Sequence, residues 1–141
     1  MSKFFLTKEE ILGADDRKTE EVHVPEWCPK GKDPASAFLT VRSLDGTERD
    51  AYDAAMTKME GKNVKLSLEN RSVRLVAKCV VDPSGKPMFT ERDILALGKK
   101  SAVPIARIAK VASRLSGIEE EQAEEAEKNS ETAPNAASGS S

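Results

Sequence analysis

Residues 82 to 93, DPSGKPMFTERD, place oxygen-bearing side chains at the spacing of a helix–loop–helix calcium site. Asp82 opens the stretch, Ser84 and Thr90 take its third and ninth places, and Asp93 closes it. Calcium demands more: a glycine at the sixth place for the sharp turn, oxygen at the fifth, and a long bidentate Glu at the end. Here Pro87 holds the sixth place, the cation Lys86 the fifth, and the shorter Asp93 the last. The stretch is therefore read as a connector. Asp82-Pro83-Ser84-Gly85 has the composition of a tight turn, with Pro second and Gly fourth. Thr90 and Asp93 have capping-box spacing. Met88 and Phe89 are expected to pack back against the flanking helices. Gly85-Lys86 is no phosphate loop, since Pro87 follows it and a helix, not a strand, precedes it.

His23, Cys28 and Cys79 are the soft-metal and nucleophile candidates. A structural zinc site takes four ligands in short paired spacings, which three scattered residues do not supply. A thiol nucleophile needs an adjacent histidine and an oxyanion hole. Cys79 falls on an apolar helical face and reads as a small core residue. No nucleophile elbow or dinucleotide glycine pattern is present. The sequence predicts no catalytic residue, no cofactor and no metal, and so a protein that is not an enzyme.

Cations offer a different chemistry. Arg71, Arg74 and Lys78 fall at i, i+3, i+7, and Arg107, Lys110 and Arg114 repeat that spacing. Each set makes a stripe along a helix. Such stripes serve as solvated faces or as docking sites for an anionic partner. Nucleic acid is disfavoured by a pI of about 5.6 and by the lack of interleaved aromatics. These six residues are the candidate partner-binding set.

Elements must hold these groups in place. Thr7 and Glu10 have capping-box spacing before Ile11 and Leu12, and Gly13 stops that short helix. Glu21–Trp27 alternates Val22 and Val24 against His23, and AFLTVR at 37–42 is rich in β-branched residues. The two read as an antiparallel hairpin with a long Pro-containing loop, leaning on helices. Ser43, Asp45 or Thr47 caps a helix carrying Tyr52, Ala55, Met56 and Met59, ended by Gly61. A helix over Leu68–Val81 carries Val73, Val76, Ala77 and Val80, widened by Leu75 and Cys79. A short helix carries Ile94, Leu95 and Leu97. A last one, capped by Ser101 with Pro104 in its first turn, carries Ile105, Ile108, Ala109, Ala112 and Leu115, ended by Gly117. The expected fold is α+β: an N-terminal β-hairpin packed on a bundle of about four helices.

At 141 residues the chain suits one domain. No window holds the roughly 18 to 20 apolar residues that span a bilayer, and MSKFFLTKEE lacks a signal-peptide core. Two cysteines are too few for a disulfide framework. The expectation is a cytoplasmic protein without membrane contact. The net charge of −2 divides into +4 over residues 1–118 and −6 over 119–141. Residues 1–118 are read as the domain. Residues 119–128, EEEQAEEAEK, are read as an acidic extension, and 129–141 as a polar disordered tail. The acidic segment invites a weak, salt-sensitive contact with the basic stripes.

The order TEEVHVPEW, then AFLTVRSLDGTERDAYDAAM, then RLVAKCVVDPSGKPMFTERDILALGKKS, then IAKVASRLSGI resembles the tail assembly chaperones of long-tailed, siphovirus-type bacteriophages. The resemblance spans about residues 3 to 128 and rests on order and spacing, not on a catalytic motif. It implies a non-catalytic, non-structural factor for viral tail morphogenesis. Such a factor binds the tape measure protein, keeps it soluble and helps recruit tail tube subunits. It implies action in the host cytoplasm, absence from the mature virion, and room for self-association. The alternative from the residues alone is a small regulatory or nucleic-acid-binding protein acting through its basic stripes.

Overall fold

The computed structural model describes residues 2–60, 63–66 and 70–118. The expected acidic extension and polar tail lie outside the described residues. Helix α1 (Lys8–Gly13) is followed by the hairpin strands β1 (Thr19–His23) and β2 (Phe38–Arg42). Helix α2 (Gly46–Ala55) leads into a second hairpin, β3 (Thr57–Glu60) and β4 (Asn63–Leu66). Then come α3 (Arg71–Cys79), β5 (Val80–Val81), α4 (Ile94–Leu97) and α5 (Ala102–Leu115). The α+β expectation of a hairpin against about four helices matches α2 to α5.

Local chemistry starts three of the helical segments as expected, whereas Ser101 stands at the N-cap of α5 without a side-chain capping bond. Thr7 and Glu10 close a reciprocal capping box at α1, and Asp45 and Glu48 close another at α2. Thr90 and Asp93 form a third, on a single turn of 3-10 helix leading into α4. The 82–85 turn closes with the Gly85 amide donating to the Asp82 carbonyl at 2.8 Å. One Asp82 carboxylate oxygen accepts from the Ser84 amide (2.8 Å), the Ser84 hydroxyl (2.6 Å) and the Lys86 amide (3.1 Å). Those bonds, the Ser84 hydroxyl first, hold its pKa below the ordinary carboxylate value. Phe89 packs against the core, whereas Met88 stays largely exposed.

Three elements differ from the expectation. The Glu21–Trp27 strand is shorter: β1 ends at His23, and Pro25–Trp27 winds into a 3-10 turn because Pro25 pre-sets its φ there. The helix read as far as Gly61 ends at Ala55. The Thr57 hydroxyl donates to the Asp53 carbonyl at 3.1 Å, and the chain enters β3. There Thr57 pairs with Leu66 and Glu60 with Asn63, so Met59 belongs to a strand. The helix read over Leu68–Val81 is α3 alone. It starts after Asn70 in the left-handed region (φ 58°) and ends at Cys79. Val80 and Val81 pair with Val41 and Thr40, making β5 the third strand of an antiparallel sheet ordered β1-β2-β5. β-Branched side chains fit a pleated sheet better than a helix end, once a partner strand is available.

The core lies between this sheet and α3 and α5. Val22, Val24, Val41 and Val80 supply it from the strands, Val73, Val76, Ala77 and Cys79 from α3 and its end, and Ile105, Ile108, Ala109 and Ala112 from α5. Tyr52, Ile94 and Leu97 seal it from α2 and α4. The expected apolar stripes of α3 and α5 are thus the buried ones, with Leu115 only half-buried at the end.

An arginine ties the entry strand to α2. Arg17 donates to the Ser43 carbonyl through Nε (2.9 Å) and Nη2 (2.7 Å), and to the Glu48 carboxylate at 2.8 Å. Glu48 is the same residue that closes the α2 capping box, so one carboxylate serves helix start and strand entry together.

Candidate functional site

Two helices carry the basic stripes, and the elements packed beside each helix divide them. Three and seven residues advance 300° and 700°, so i, i+3 and i+7 lie within about 60° of one another, and it is the neighbouring elements that take their long side chains to different partners. On α5, Arg107 and Arg114 turn toward β1. Arg107 forms a two-point bond to Glu26 (2.8 and 2.7 Å) and donates to the His23 carbonyl at 3.2 Å. Arg114 donates to Glu20 at 2.7 Å. On α3, Arg74 pairs with Glu91 at 3.0 Å. These three cations already face carboxylates of the folded body.

Arg71 and Lys110 are placed differently. They line one groove of about 340 Å³ between α3 and α5. Tyr52, Leu75 and Ile118 give it apolar walls, and Ser72 and Ser113 give it hydroxyls. Ala106, Ala109 and Ser113 keep the α5 wall low. Arg71 is steadied by the Tyr52 hydroxyl at 3.4 Å. Lys78 lines another groove, of about 430 Å³, where Ala51, Ala77, Phe89 and Ile94 meet Glu48 and Glu91. The six candidates therefore do not form one surface, and of them only Arg71 and Lys110 line the α3–α5 groove together.

An apolar region that the sequence reading passed over surrounds Trp27. A trough of about 360 Å³ runs along Val24, Trp27, Cys28, Phe38 and Leu39. A neighbouring one of about 470 Å³ shares Trp27 and Cys28 and adds Phe89 and Leu97. Phe38 sits against the His23 ring, with centroids 4.9 Å apart, and is itself 55% exposed. The signal for it was the single Trp at a Pro-flanked strand end. At the other end of the chain, Phe4, Phe5, Leu6, Ile11 and Leu12 are all exposed, and α1 buries none of its residues.

The nucleophile candidates do not assemble. His23 Nε2 lies 2.9 Å from the Pro34 carbonyl. The Cys28 thiol points at the Pro29 and Lys32 carbonyls (3.5 and 3.4 Å). Burial pushes the Cys79 thiol up to about 12, which leaves it unreactive. Both cysteines are free thiols. No group of three His, Cys, Asp or Glu side chains with metal-site geometry occurs among the described residues. Among them, no helix is long and apolar enough to cross a membrane.

The Glu26–Arg107 pair is the clearest titrating feature. Hydrogen bonds from Arg107 hold the Glu26 carboxyl down at about 2. A depressed carboxylate stabilises the fold above its unfolded value near 4.3 and loses that contribution as pH falls toward the folded value. Urea midpoints are therefore expected to fall between about pH 4.5 and about pH 2, and less steeply in Glu26→Gln. Because both side chains are about a third exposed, the effect is modest. Parallel acid limbs for the two proteins would remove this account.

The described residues form an α+β body in which helices cover a three-stranded antiparallel sheet and apolar grooves with charged rims open on the surface. Its fold is similar to the solved structure of the tail assembly chaperone of bacteriophage HK97, with a TM-score of 0.50 over 70% of this chain and 85% of that one. The two are 16% identical over the match, so the likeness is one of fold. It agrees with the resemblance read from the order of motifs. No family model and no curated protein matches the chain.

Proposed function

We propose that the chain is a phage tail assembly chaperone: a non-catalytic factor that binds the tape measure protein, keeps it soluble and helps recruit tail tube subunits. It acts in the host cytoplasm and is left out of the mature virion. The fold likeness to the HK97 protein carries the reading. A fold alone does not dictate function, so the surface must suit the task. A chaperone for long amphipathic helices needs exposed apolar surface with charged edges. Phe4, Phe5, Leu6, Ile11 and Leu12 at the N-terminus, with Phe38 beside the Trp27 trough, offer that kind of surface. The nucleic-acid alternative loses ground because Arg74, Arg107 and Arg114 already face carboxylates.

Co-expression with the tape measure protein of the same genome tests the reading. The tape measure protein should be soluble and co-purify with this chain, and should aggregate when made alone. Equal solubility in both cases, with no co-purification, would sink the proposal.

A further inference from the structure

Arginines on this body differ in what already holds them. Arg74, Arg107 and Arg114 are bound by Glu91, Glu26 and Glu20. Arg71 bonds only the neutral hydroxyl of Tyr52 among the described residues, at 3.4 Å. Lys110, exposed on α5, pairs with no described carboxylate. The α3–α5 groove thus has one uncompensated cation on each wall, and each wall adds a hydroxyl, Ser72 on α3 and Ser113 on α5.

Charge sets this groove apart when acids and bases are both counted. Lys32 and Asp33 offset each other in the first Trp27 trough, and Lys100 and Glu26 do so in its neighbour. In the Phe89 groove, Lys78 stands against two acids, Glu48 and Glu91. The described lining of the α3–α5 groove has two cations and no acid. Shape adds a second constraint. Ala106, Ala109 and Ser113 fall at i, i+3, i+7 on α5, and their small side chains let a third helix approach at the usual interaxial distance of about 8–10 Å. Tyr52, Leu75 and Ile118 beneath are almost fully buried, so a guest gains little from apolar burial alone and is recognised by its charge.

We propose that the α3–α5 groove docks an acidic amphipathic helix of another protein, whose carboxylates flank a narrow apolar stripe and meet Arg71 on one side and Lys110 on the other. Charge-assisted bonds from the guanidinium and ammonium hold these carboxylates, and Ser72 and Ser113 supply further donors. The groove is open, so binding weakens as the Debye length shrinks from about 10 Å at 0.1 M salt to about 3 Å at 1 M. It shares no lining residue with the two Trp27 troughs, so this proposal and the assembly role stand or fall separately.

The test titrates the isotope-labelled full chain with a defined probe, three copies of ELAQLEA joined end to end, acetylated and amidated. Its leucines form an apolar stripe flanked on both sides by glutamates, whose mutual repulsion keeps it from pairing with itself. Amide signals of Ser72, Ala106 and Ser113 are expected to shift saturably at low salt and to lose the response at high salt. The same peptide with Gln for every Glu should not bind. Lys110→Glu, at an exposed site, should weaken binding about fivefold or more, whereas Lys99→Glu, exposed and outside the groove, should leave it within about twofold. No saturation, equal losses in the two variants, or shifts centred on Trp27 and Phe38 would overturn the proposal. A short DNA duplex that moves the same signals more strongly would assign the groove to nucleic acid and overturn it too. Binding that appears only after Glu119, Glu120, Glu121, Glu124, Glu125 and Glu127 are replaced by Gln would assign the groove to the chain itself, with the same consequence.

Discussion

Ile108→Ala is expected to lower the unfolding free energy by about 2–5 kcal/mol, the range for removing a buried aliphatic side chain and leaving a cavity. Ile108 has no exposed surface and sits in the middle of α5, among the core residues contributed by the sheet and α3. The loss is a large share of the roughly 5–15 kcal/mol that holds an ordinary domain together. Ile108→Val, which deletes one methylene, should cost about 0.5–1.5 kcal/mol. Val103, on the first turn of the same helix, is 63% exposed. Val103→Ala should therefore stay within about 0.5 kcal/mol of the parent. Urea midpoints with unchanged slope measure all three. A midpoint shift for Ile108→Ala no larger than that for Val103→Ala would mean that α5 does not anchor the core as described.

Arg17→Ala should be the most damaging change outside the apolar core. The guanidinium makes two bonds to the Ser43 carbonyl and one short bond to Glu48. Ser43 is buried and exchanges backbone and side-chain bonds with Lys18. Removing the arginine leaves a half-buried carbonyl and a half-buried carboxylate without a shared donor. Hydrogen bonds to charged groups contribute about 1.5–3 kcal/mol each, and the exposed fraction of these groups pulls the total toward about 2 kcal/mol. At roughly 3 °C per kcal/mol for a domain of this size, the melting temperature should fall by about 6 °C. Arg17→Lys should recover only part of that, because an ammonium cannot span both acceptors with a planar fork. If Arg17→Ala melts together with the parent, the clamp is ornamental and the hairpin is held by its valines alone.

Short-range chemistry explains what could be read directly from the residues. Thr7 with Glu10, Asp45 with Glu48 and Thr90 with Asp93 announce helix starts, because each pair satisfies donors within a single turn. The Asp82–Gly85 turn and the apolar stripes of α3 and α5 are equally local, since they follow from φ preferences and the 3.6-residue period. The same locality made Pro87 and Lys86 decisive against calcium geometry. These features determined the α+β class, most element positions and the core faces.

Only the tertiary structure decided the rest. Val80 and Val81 continue a helical stripe until Thr40 and Val41, some 40 residues earlier, offer them a strand. The hairpin at Thr57–Leu66 was concealed by a helical spacing that ran through Met59, and sheet hydrogen bonds stabilise it against that periodicity. The six cations looked like two equal stripes because spacing records position on a helix but not the neighbour each flank meets. Glu20, Glu26 and Glu91 reach Arg114, Arg107 and Arg74 from distant parts of the chain. Arg71 and Lys110 meet across one groove because α3 and α5 pack side by side, a contact that no local pattern of residues encodes.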